Sequence, residues 1–210
     1  MHYQIDHPLL AHKLTELRNK DTGTRDFRAL ADEITMLLAY EALKNVELTD
    51  HTVETPLTTY HGKKVSHDVV LVPILRAGVG MLQGVLNLFP TARVGFVGIY
   101  RDPETKKPVT YYEKLPTNLH DPLFFIIDPM LATGGSIIAC IDMIKEHGSG
   151  HSAQKIKVIS IISSPEGIKT VEDAHPDVEI YTGHVDEYLN DHKYIIPGLG
   201  DAGDRLFGTK

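Results

Sequence analysis

The sequence predicts an α/β protein with a parallel sheet and helices on both faces, and three observations support this fold class. Almost continuously apolar runs alternate with segments whose apolar residues recur at helical spacing, which is typical of strands covered on both sides. The polar, glycine-bearing motifs follow the ends of these runs or lie in the C-terminal tail, and the carboxyl ends of parallel strands are where ligands bind. A length of 210 residues with 42% hydrophobic residues fits one domain with a small elaboration. We therefore predict a single domain over residues 1–210.

The N-terminal part of the chain predicts a helical elaboration followed by an arm. Residues 8–20 and 25–45 have apolar positions at helical spacing, such as Leu30 and Ile34, and predict two amphipathic helices. An extra helical pair of this kind packs on the sheet or on a second subunit. Residues 51–67 are polar and turn-rich, and they predict a β-arm or a loop.

From residue 68 onward, predicted strands and helices alternate. The strands are apolar runs at 69–73, 93–100, 123–127, 155–162 and 178–182. The helices lie at 77–87, 136–147 and 165–174. Residues 148–154 are small and polar, and they predict a surface insertion.

Charge and composition argue against several classes of function. The net charge of −7 at pH 7 opposes a general nucleic-acid binder, because such domains carry a basic face. The single cysteine, Cys140, excludes an internal disulfide, fits a reducing compartment and lies on the apolar face of a predicted helix. The chain has no apolar run of about eighteen residues and no signal-peptide pattern, so we expect a cytoplasmic protein without a membrane partner. The 12 histidines are scattered and predict no metal cage.

Residues 123–136 combine the features of a phosphate cradle. An apolar strand delivers one carboxylate, Asp128, and a loop with Gly134 and Gly135 leads to a helix that Ser136 opens. The glycines let the backbone approach a ligand, and the free N–H groups at the helix start favour an anion. A P-loop has lysine where this chain has Gly135, so a nucleoside triphosphate is not indicated. Asp128 suits ribose hydroxyls, with a 5′-phosphate on the loop, and an ordinary βα turn is the alternative.

Three motifs of the chain resemble those of a known family. The run at 123–136 (LFFIIDPMLATGGS) resembles the 5-phosphoribosyl 1-diphosphate (PRPP) motif of type I phosphoribosyltransferases. Residues 72–78 (VPILRAG) resemble the pyrophosphate loop of the uracil phosphoribosyltransferase branch, and residues 194–205 (YIIPGLGDAGDR) resemble its uracil-binding signature. The chain departs from the usual pattern at Pro129, where most members carry a second acid, and at Ala132, where purine-specific members often carry an aspartate. The second departure favours a pyrimidine.

The resemblance implies a type I phosphoribosyltransferase fold with a C-terminal base-binding tail. It also implies transfer of the phosphoribosyl group of PRPP to uracil, which gives UMP and diphosphate in pyrimidine salvage. It assigns PRPP binding to Arg76, Arg101, Asp128, Pro129, Met130, Leu131, Ala132, Thr133, Gly134, Gly135, Ser136 and Asp201. It assigns uracil binding to Ile195, Gly200, Asp201 and Ala202. It further implies Mg²⁺ carried by PRPP rather than by a protein cage, a homo-oligomer of two or more subunits and, in some members, GTP as an effector.

Two arginines and one loop are also interpreted from the residues themselves. Arg76 follows an apolar run and precedes Ala77 and Gly78, whose small size lets the main chain wrap a diphosphate while the guanidinium supplies charge. An ordinary surface arginine is the alternative. Residues 101–114 are polar and carry two prolines. The resemblance implies a mobile hairpin that folds over the sugar diphosphate with Arg101 at its base, and a solvated charged loop is the alternative.

Three other functions stay open at this point. A transcriptional attenuator of the same fold would bind RNA, which the acidic balance and the 194–205 signature oppose. A purine phosphoribosyltransferase is opposed by Ala132 and by the same signature. A phosphoacceptor signalling domain with Asp128 as acceptor would need further acids near the first strand.

Overall fold

A computed structural model of the protein describes residues 1–101, 108–147 and 155–209, without the side chains of Arg101 and His147. The predicted insertion at 148–154 and part of the predicted hairpin, at 102–107, lie outside the described residues. The strands are β1 His2–Gln4, β2 Leu48–Glu54, β3 Thr59–Val65, β4 Val69–Leu75, β5 Arg93–Val94, β6 Phe96–Arg101, β7 Pro108–Lys114, β8 Leu123–Ile127, β9 Met130–Leu131, β10 Lys155–Ser163, β11 Glu179–Val185, β12 Tyr188–Leu189 and β13 Ile195–Ile196. The helices are α1 Pro8–Arg18, α2 Thr24–Ala42, α3 Val79–Leu88, α4 Gly135–His147, α5 Pro165–Ala174 and α6 Ala202–Phe207.

One large sheet carries the predicted strands, in the spatial order β1-β11-β10-β8-β4-β6-β7. Every neighbouring pair along this order is parallel except β6 and β7, which are antiparallel. The predicted parallel sheet is thus confirmed, with one antiparallel strand at its edge. Only residues 102–107 separate β6 from β7, and a crossover to a parallel strand takes about a dozen residues or more.

Helices cover both faces of the sheet, as predicted. Alternate residues of β8 point to opposite faces, so Phe125 and Ile127 join one buried cluster while Phe124 and Ile126 join the other. The first cluster contains residues of α1, α2, α3 and α6, and the second contains residues of α4 and α5. The N-terminal helical pair therefore packs on the sheet, and Cys140 is a core residue of the second cluster.

The predicted strand at 93–100 is two strands. Gly95 interrupts it, and its N–H donates to the Leu71 carbonyl at 2.9 Å instead of continuing one ladder. A side chain at Gly95 would meet the Lys114 carbonyl at 3.0 Å and the Leu115 side chain at 2.7 Å. The sequence pattern missed the break because a single glycine leaves an apolar run intact.

The helix after β4 begins at Val79 rather than at residue 77. Residues 76–78 form a turn in which the Gly78 N–H donates to the Ile74 carbonyl at 2.9 Å. A Cβ at Gly78 would lie 2.3 Å from the Ile127 carbonyl, so the turn packs directly against the end of β8. Two sequence motifs are thereby brought side by side at the carboxyl edge of the sheet.

The predicted arm is an antiparallel hairpin of β2 and β3, which is separate from the main sheet. The residues of β2 are all exposed, which explains why periodicity alone could not distinguish an arm from a loop. Within the described ranges, the structure has no helix long and apolar enough to span a membrane.

Candidate active site

The loop between β8 and α4 forms an anion-binding cradle. The helix begins at Gly135, one residue before the predicted start, and the Ile138 N–H donates to the Gly134 carbonyl at 2.9 Å. A cavity of about 100 Å³ lies at this helix start and is lined by Asp128 and residues 130–137. Backbone N–H groups and the positive end of a 13-residue helix therefore face an open cavity, which favours an anion.

The two glycines of the cradle, Gly134 and Gly135, stand there for different structural reasons. Gly134 has φ +82°, and a Cβ there would lie 3.0 Å from the Gly167 carbonyl of α5. At Gly135 an added Cβ would have only Thr133 Oγ1 at 3.9 Å and Pro108 Cδ at 4.0 Å nearby. Gly134 is thus required by conformation and packing, whereas Gly135 keeps the backbone open towards the cavity.

Asp128 stands at the carboxyl end of β8 and is half-buried. Its Oδ1 accepts from the Met130 N–H at 3.4 Å, and among the described residues it has no cation within ion-pair distance. Burial of the carboxyl raises its pKa to about 7. The hydrogen bond from the Met130 N–H lowers the pKa, but by less than burial raises it. An acid with so few partners at a cavity wall is suited to bind hydroxyl groups of a ligand.

A second cavity adjoins the cradle and unites all three sequence motifs. It has a volume of about 480 Å³. Its lining comes from the turn after β4, from the cradle and from the C-terminal tail, and comprises Ala77, Asp128, Pro129, Met130, Ala132, His192, Lys193, Tyr194, Gly200, Asp201, Ala202 and Gly203. Asp128 lines both cavities, so a ligand that spans them would pass its carboxylate.

The C-terminal tail supplies one wall of the larger cavity. Gly200 has φ +81°, and Asp201 caps α6 because its Oδ1 accepts from the Asp204 N–H at 2.9 Å. Ala202 is the first residue of that helix. Ile195, a predicted uracil contact, lines neither cavity: its side chain is buried in the core beneath the tail, and its carbonyl packs against Gly198.

The structure describes the whole of Arg76 but only the backbone of Arg101. The Arg76 guanidinium is 58% exposed and lies 3.7 Å from Asp204 Oδ1, next to the start of α6 and the larger cavity. Arg101 ends β6, where its backbone pairs with Pro108, and its side chain is outside the described part. Since Pro108 is near Gly135, the base of the β6–β7 hairpin lies beside the cradle.

Five residues of the larger cavity were not predicted as site residues, and two of them are Ala77 and Gly203. The other three are His192, Lys193 and Tyr194. They form a turn in which Lys193 has φ +66° and its N–H donates to the Asn190 carbonyl at 2.8 Å. Tyr194 is the first residue of the 194–205 signature and the other two directly precede it, which was the signal that could have indicated them. Leu131, in contrast, was a predicted site residue, but its side chain is 1% exposed and belongs to the core, so only its main chain faces the cradle.

One cluster of possible metal ligands lies elsewhere. Glu47, His67 and Asp121 approach one another near the starts of β8 and β10, at the edge opposite the cradle. The Lys155 ammonium is 2.9 Å from Glu47 Oε1 and 3.3 Å from His67 Nε2, so a cation already neutralises this cluster. The larger cavity offers the carboxylates of Asp128 and Asp201, a donor set that fits Mg²⁺ bound mainly by substrate phosphates and water.

An anion cradle, a neighbouring acid and a larger cavity lie together at the carboxyl edge of a parallel sheet, which is the arrangement expected of the phosphoribosyltransferase class. A family model described as uracil phosphoribosyltransferase matches residues 4–209. The uracil phosphoribosyltransferase of Alkaliphilus oremlandii is 55% identical over 207 residues, which are 98% of this chain and 97% of the relative. That of Geobacillus kaustophilus is 53% identical over 209 residues, 99% of this chain and 98% of the relative.

A solved structure gives the same result at the level of the fold. The AQ2163 protein from Aquifex aeolicus superposes with a TM-score of 0.93 at 42% identity, over 100% of this chain and 99% of that one. The chain therefore belongs to the uracil phosphoribosyltransferase family. The family and fold that the motifs implied are confirmed.

Proposed function

We propose that this protein transfers the 5-phosphoribosyl group of PRPP to N1 of uracil, which forms UMP and diphosphate for pyrimidine salvage. The observation that carries the proposal is the position of Asp128 in the wall of both cavities. The smaller cavity suits a phosphate and the larger one has room for a planar base. A ribose that joins them would present its hydroxyls to Asp128.

The cradle is proposed to bind the sugar phosphate. The N–H groups of residues 133–136 would hold the 5′-phosphate, and the Asp128 carboxylate would accept hydrogen bonds from the 2′ and 3′ hydroxyls. Arg76 would neutralise the diphosphate, with Asp201 on the same side of the larger cavity. Arg101, at the end of β6, is proposed to contact the diphosphate as well.

The tail is proposed to select the base through its main chain. Uracil presents N3–H between two carbonyl oxygens, so the Ile195 carbonyl would accept from N3–H while the N–H groups of Gly200 and Ala202 donate to the oxygens. The small Ala132 lines the same cavity where a purine-specific enzyme would place an acid. A pyrimidine therefore suits this wall better than a purine does.

The chemistry requires positioning and charge stabilisation rather than a protein nucleophile. The bond from C1′ to the diphosphate oxygen breaks, the C1′–N1 bond forms with inversion, and the N1 proton is released. The transition state is oxocarbenium-like, so water must be excluded and the leaving diphosphate stabilised. The β6–β7 hairpin is proposed as the lid, because its base lies beside Gly135.

Mg²⁺ is proposed to enter with the diphosphate. Asp128 and Asp201 would take part in its binding directly or through water, while substrate oxygens supply most ligands. The bound ion would add positive charge next to the leaving group.

We also propose a homo-oligomer, and we propose GTP as an effector because the family resemblance implies it for some members. The β2–β3 arm exposes apolar side chains, with Leu57 94% and Tyr60 59% exposed, and such a surface favours self-association.

A cytoplasmic location is proposed from the single, buried cysteine, which fits a reducing compartment.

The test is a panel of free bases incubated with PRPP and Mg²⁺ and scored for nucleotide formation. We expect uracil to give UMP, with diphosphate released in an equal amount. Nucleotide formation from hypoxanthine or guanine but not from uracil would contradict the pyrimidine assignment. No product from any base would contradict the proposed reaction.

A further inference from the structure

A buried ion pair outside the uracil signature holds the turn at the centre of that signature. Arg18 of α1 donates from Nη1 to the Gly198 carbonyl at 2.7 Å, and the Gly198 N–H donates to Asp186 Oδ2 at 2.8 Å. Arg18 also binds both carboxylate oxygens of Asp186, at 2.8 and 2.5 Å. Both backbone polar groups of Gly198 are therefore engaged by one charged pair.

The pair is a fixed, charged anchor. The Asp186 side chain is fully buried and that of Arg18 is 21% exposed. Burial alone would raise the pKa of Asp186, but hydrogen bonds from Arg18, His184 and the Gly198 N–H outweigh it and hold the pKa below its ordinary value. Because a buried ion pair is weak support for stability, a role in specifying one conformation is the stronger interpretation.

The anchored turn packs against the carbonyl of Ile195, which is proposed above to bind the base. Gly198 has φ +65°, and a Cβ there would lie 2.1 Å from the Ile195 carbonyl. Gly198 therefore packs directly against that carbonyl. Gly200, whose N–H is proposed to bind the base, follows two residues later.

A third side chain holds the next residue of the turn. Arg205 donates from Nη1 to the Leu199 carbonyl at 2.9 Å and from Nη2 to the Asn19 carbonyl at 2.6 Å. Its guanidinium also lies over the Phe27 ring at 4.3 Å. The end of α1 and the Phe27 ring of α2 thus hold Arg205, which in turn supports the tail.

We propose that Arg18 and Asp186 are positioning residues that set base selectivity, by holding the Ile195 carbonyl and the Gly200 N–H at the spacing that uracil requires. The proposal rests on the main-chain reading of uracil put forward above. Neither side chain lines the cavity, so both act through Gly198. Since productive geometry tolerates only about 0.5 Å of error, a loosened turn should affect base recognition before it affects PRPP binding.

The experiment compares Asp186→Asn, Arg18→Lys and Arg18→Gln with the parent protein. A matched control is Lys13→Gln, because Lys13 lies on the same helix and pairs with Glu33 of α2 without touching the tail. The readouts are KM for uracil, the ratio of kcat/KM for uracil over cytosine, the Kd of PRPP measured by calorimetry, and Tm.

We expect Asp186→Asn and Arg18→Gln to raise KM for uracil about tenfold and to lower the uracil preference about tenfold, with the Kd of PRPP within about twofold of the parent. Arg18→Lys keeps the charge but loses the two-nitrogen fork, and we expect a smaller change in the same direction. It also serves if the other variants do not fold. Lys13→Gln should match the parent in every readout.

Two outcomes would overturn the proposal. One is a folded Asp186→Asn or Arg18→Gln protein whose KM and preference stay within about twofold of the parent. The other is an equal loss of uracil and PRPP binding, which indicates general disorder rather than positioning. A parent protein that does not ribosylate uracil in the same assay contradicts the proposed function itself, and the positioning proposal with it.

Discussion

The Ser164 hydroxyl donates a 2.6 Å hydrogen bond to the Ala132 carbonyl and thereby joins the start of α5 to the phosphate cradle. The same oxygen accepts from the Gly167 N–H at 2.9 Å and so caps the helix. A Cβ at Gly167 would lie 2.2 Å from the Ala132 carbonyl, which shows how closely α5 packs on the loop. The cradle is therefore supported by α5, a helix that does not line the larger cavity.

We predict that Ser164→Ala weakens both the fold and PRPP binding. The buried hydroxyl caps α5 and satisfies the Ala132 carbonyl, so its loss should cost about 1–2 kcal/mol of unfolding free energy. The KM for PRPP should rise more than the KM for uracil. Thermal unfolding and steady-state kinetics would test this, with Thr170→Ala as control, because that hydroxyl bonds only within α5. An unchanged KM for PRPP would show that the cradle does not depend on this contact.

We predict that Asp128→Asn lowers kcat/KM at least tenfold while the protein stays folded. The amide keeps the shape but replaces one acceptor by a donor. Hydrogen bonds to a charged group are worth about 1.5–3 kcal/mol each, which corresponds to about tenfold or more in rate. Steady-state kinetics with circular dichroism would test it. Unchanged kinetics in a folded variant would remove Asp128 from ribose binding.

The pH dependence of stability provides a separate prediction for Asp128. Its pKa is about 7 in the folded protein and 3.8 ordinarily, so the folded state binds more protons between these values. Its contribution to stability is fully present below pH 3.8 and is lost as pH rises through about 7. The Tm of Asp128→Asn minus the Tm of the parent should therefore be larger at pH 8 than at pH 5. A Tm difference that is constant with pH would contradict the raised pKa.

We predict that PRPP increases hydrogen-exchange protection in residues 101–114. An oxocarbenium-like centre must be kept from water, and the Pro108 end of this segment lies beside Gly135. Exchange measured with and without PRPP and Mg²⁺ would test the lid, and peptides of the β2–β3 arm serve as an internal control. Equal protection with and without ligand would exclude closure.

Those parts of the site that follow from local signals could be predicted from the sequence. The helix at 165–174 has the predicted bounds because a serine cap and Pro165 at the first helical position mark its start. The cradle could also be predicted from the sequence, because its strand, acid, glycines and helix are contiguous in the chain. Local pattern therefore placed Asp128 at the end of β8 and the glycine loop before α4, and their binding of a ligand stays a prediction.

The remaining features depend on contacts that local patterns do not carry. Arg18 and Asp186 are 168 residues apart, and neither belongs to a recognisable motif. His192 and Lys193 reach the cavity only because the tail folds back over the cradle. The break at Gly95 likewise depends on packing against Leu115, which is distant in sequence.

Recognition of uracil by the main chain of the tail can be measured most directly at Ala202. Ala202 is the first residue of α6, where proline is tolerated, so Ala202→Pro removes the N–H with little harm to the helix. Ala202→Val is the matched control, because it adds bulk and keeps the N–H. The measurement is kcat/KM for uracil and for cytosine, with PRPP and Mg²⁺, in the parent and both variants.

We expect the parent to prefer uracil by roughly 10⁴-fold, because cytosine would leave buried donors and acceptors of the tail unpaired. Ala202→Pro should lose uracil turnover and much of this preference, whereas Ala202→Val should keep the preference. A parent that uses cytosine within tenfold of uracil, or an equal loss of preference in both variants, would contradict recognition by the main chain.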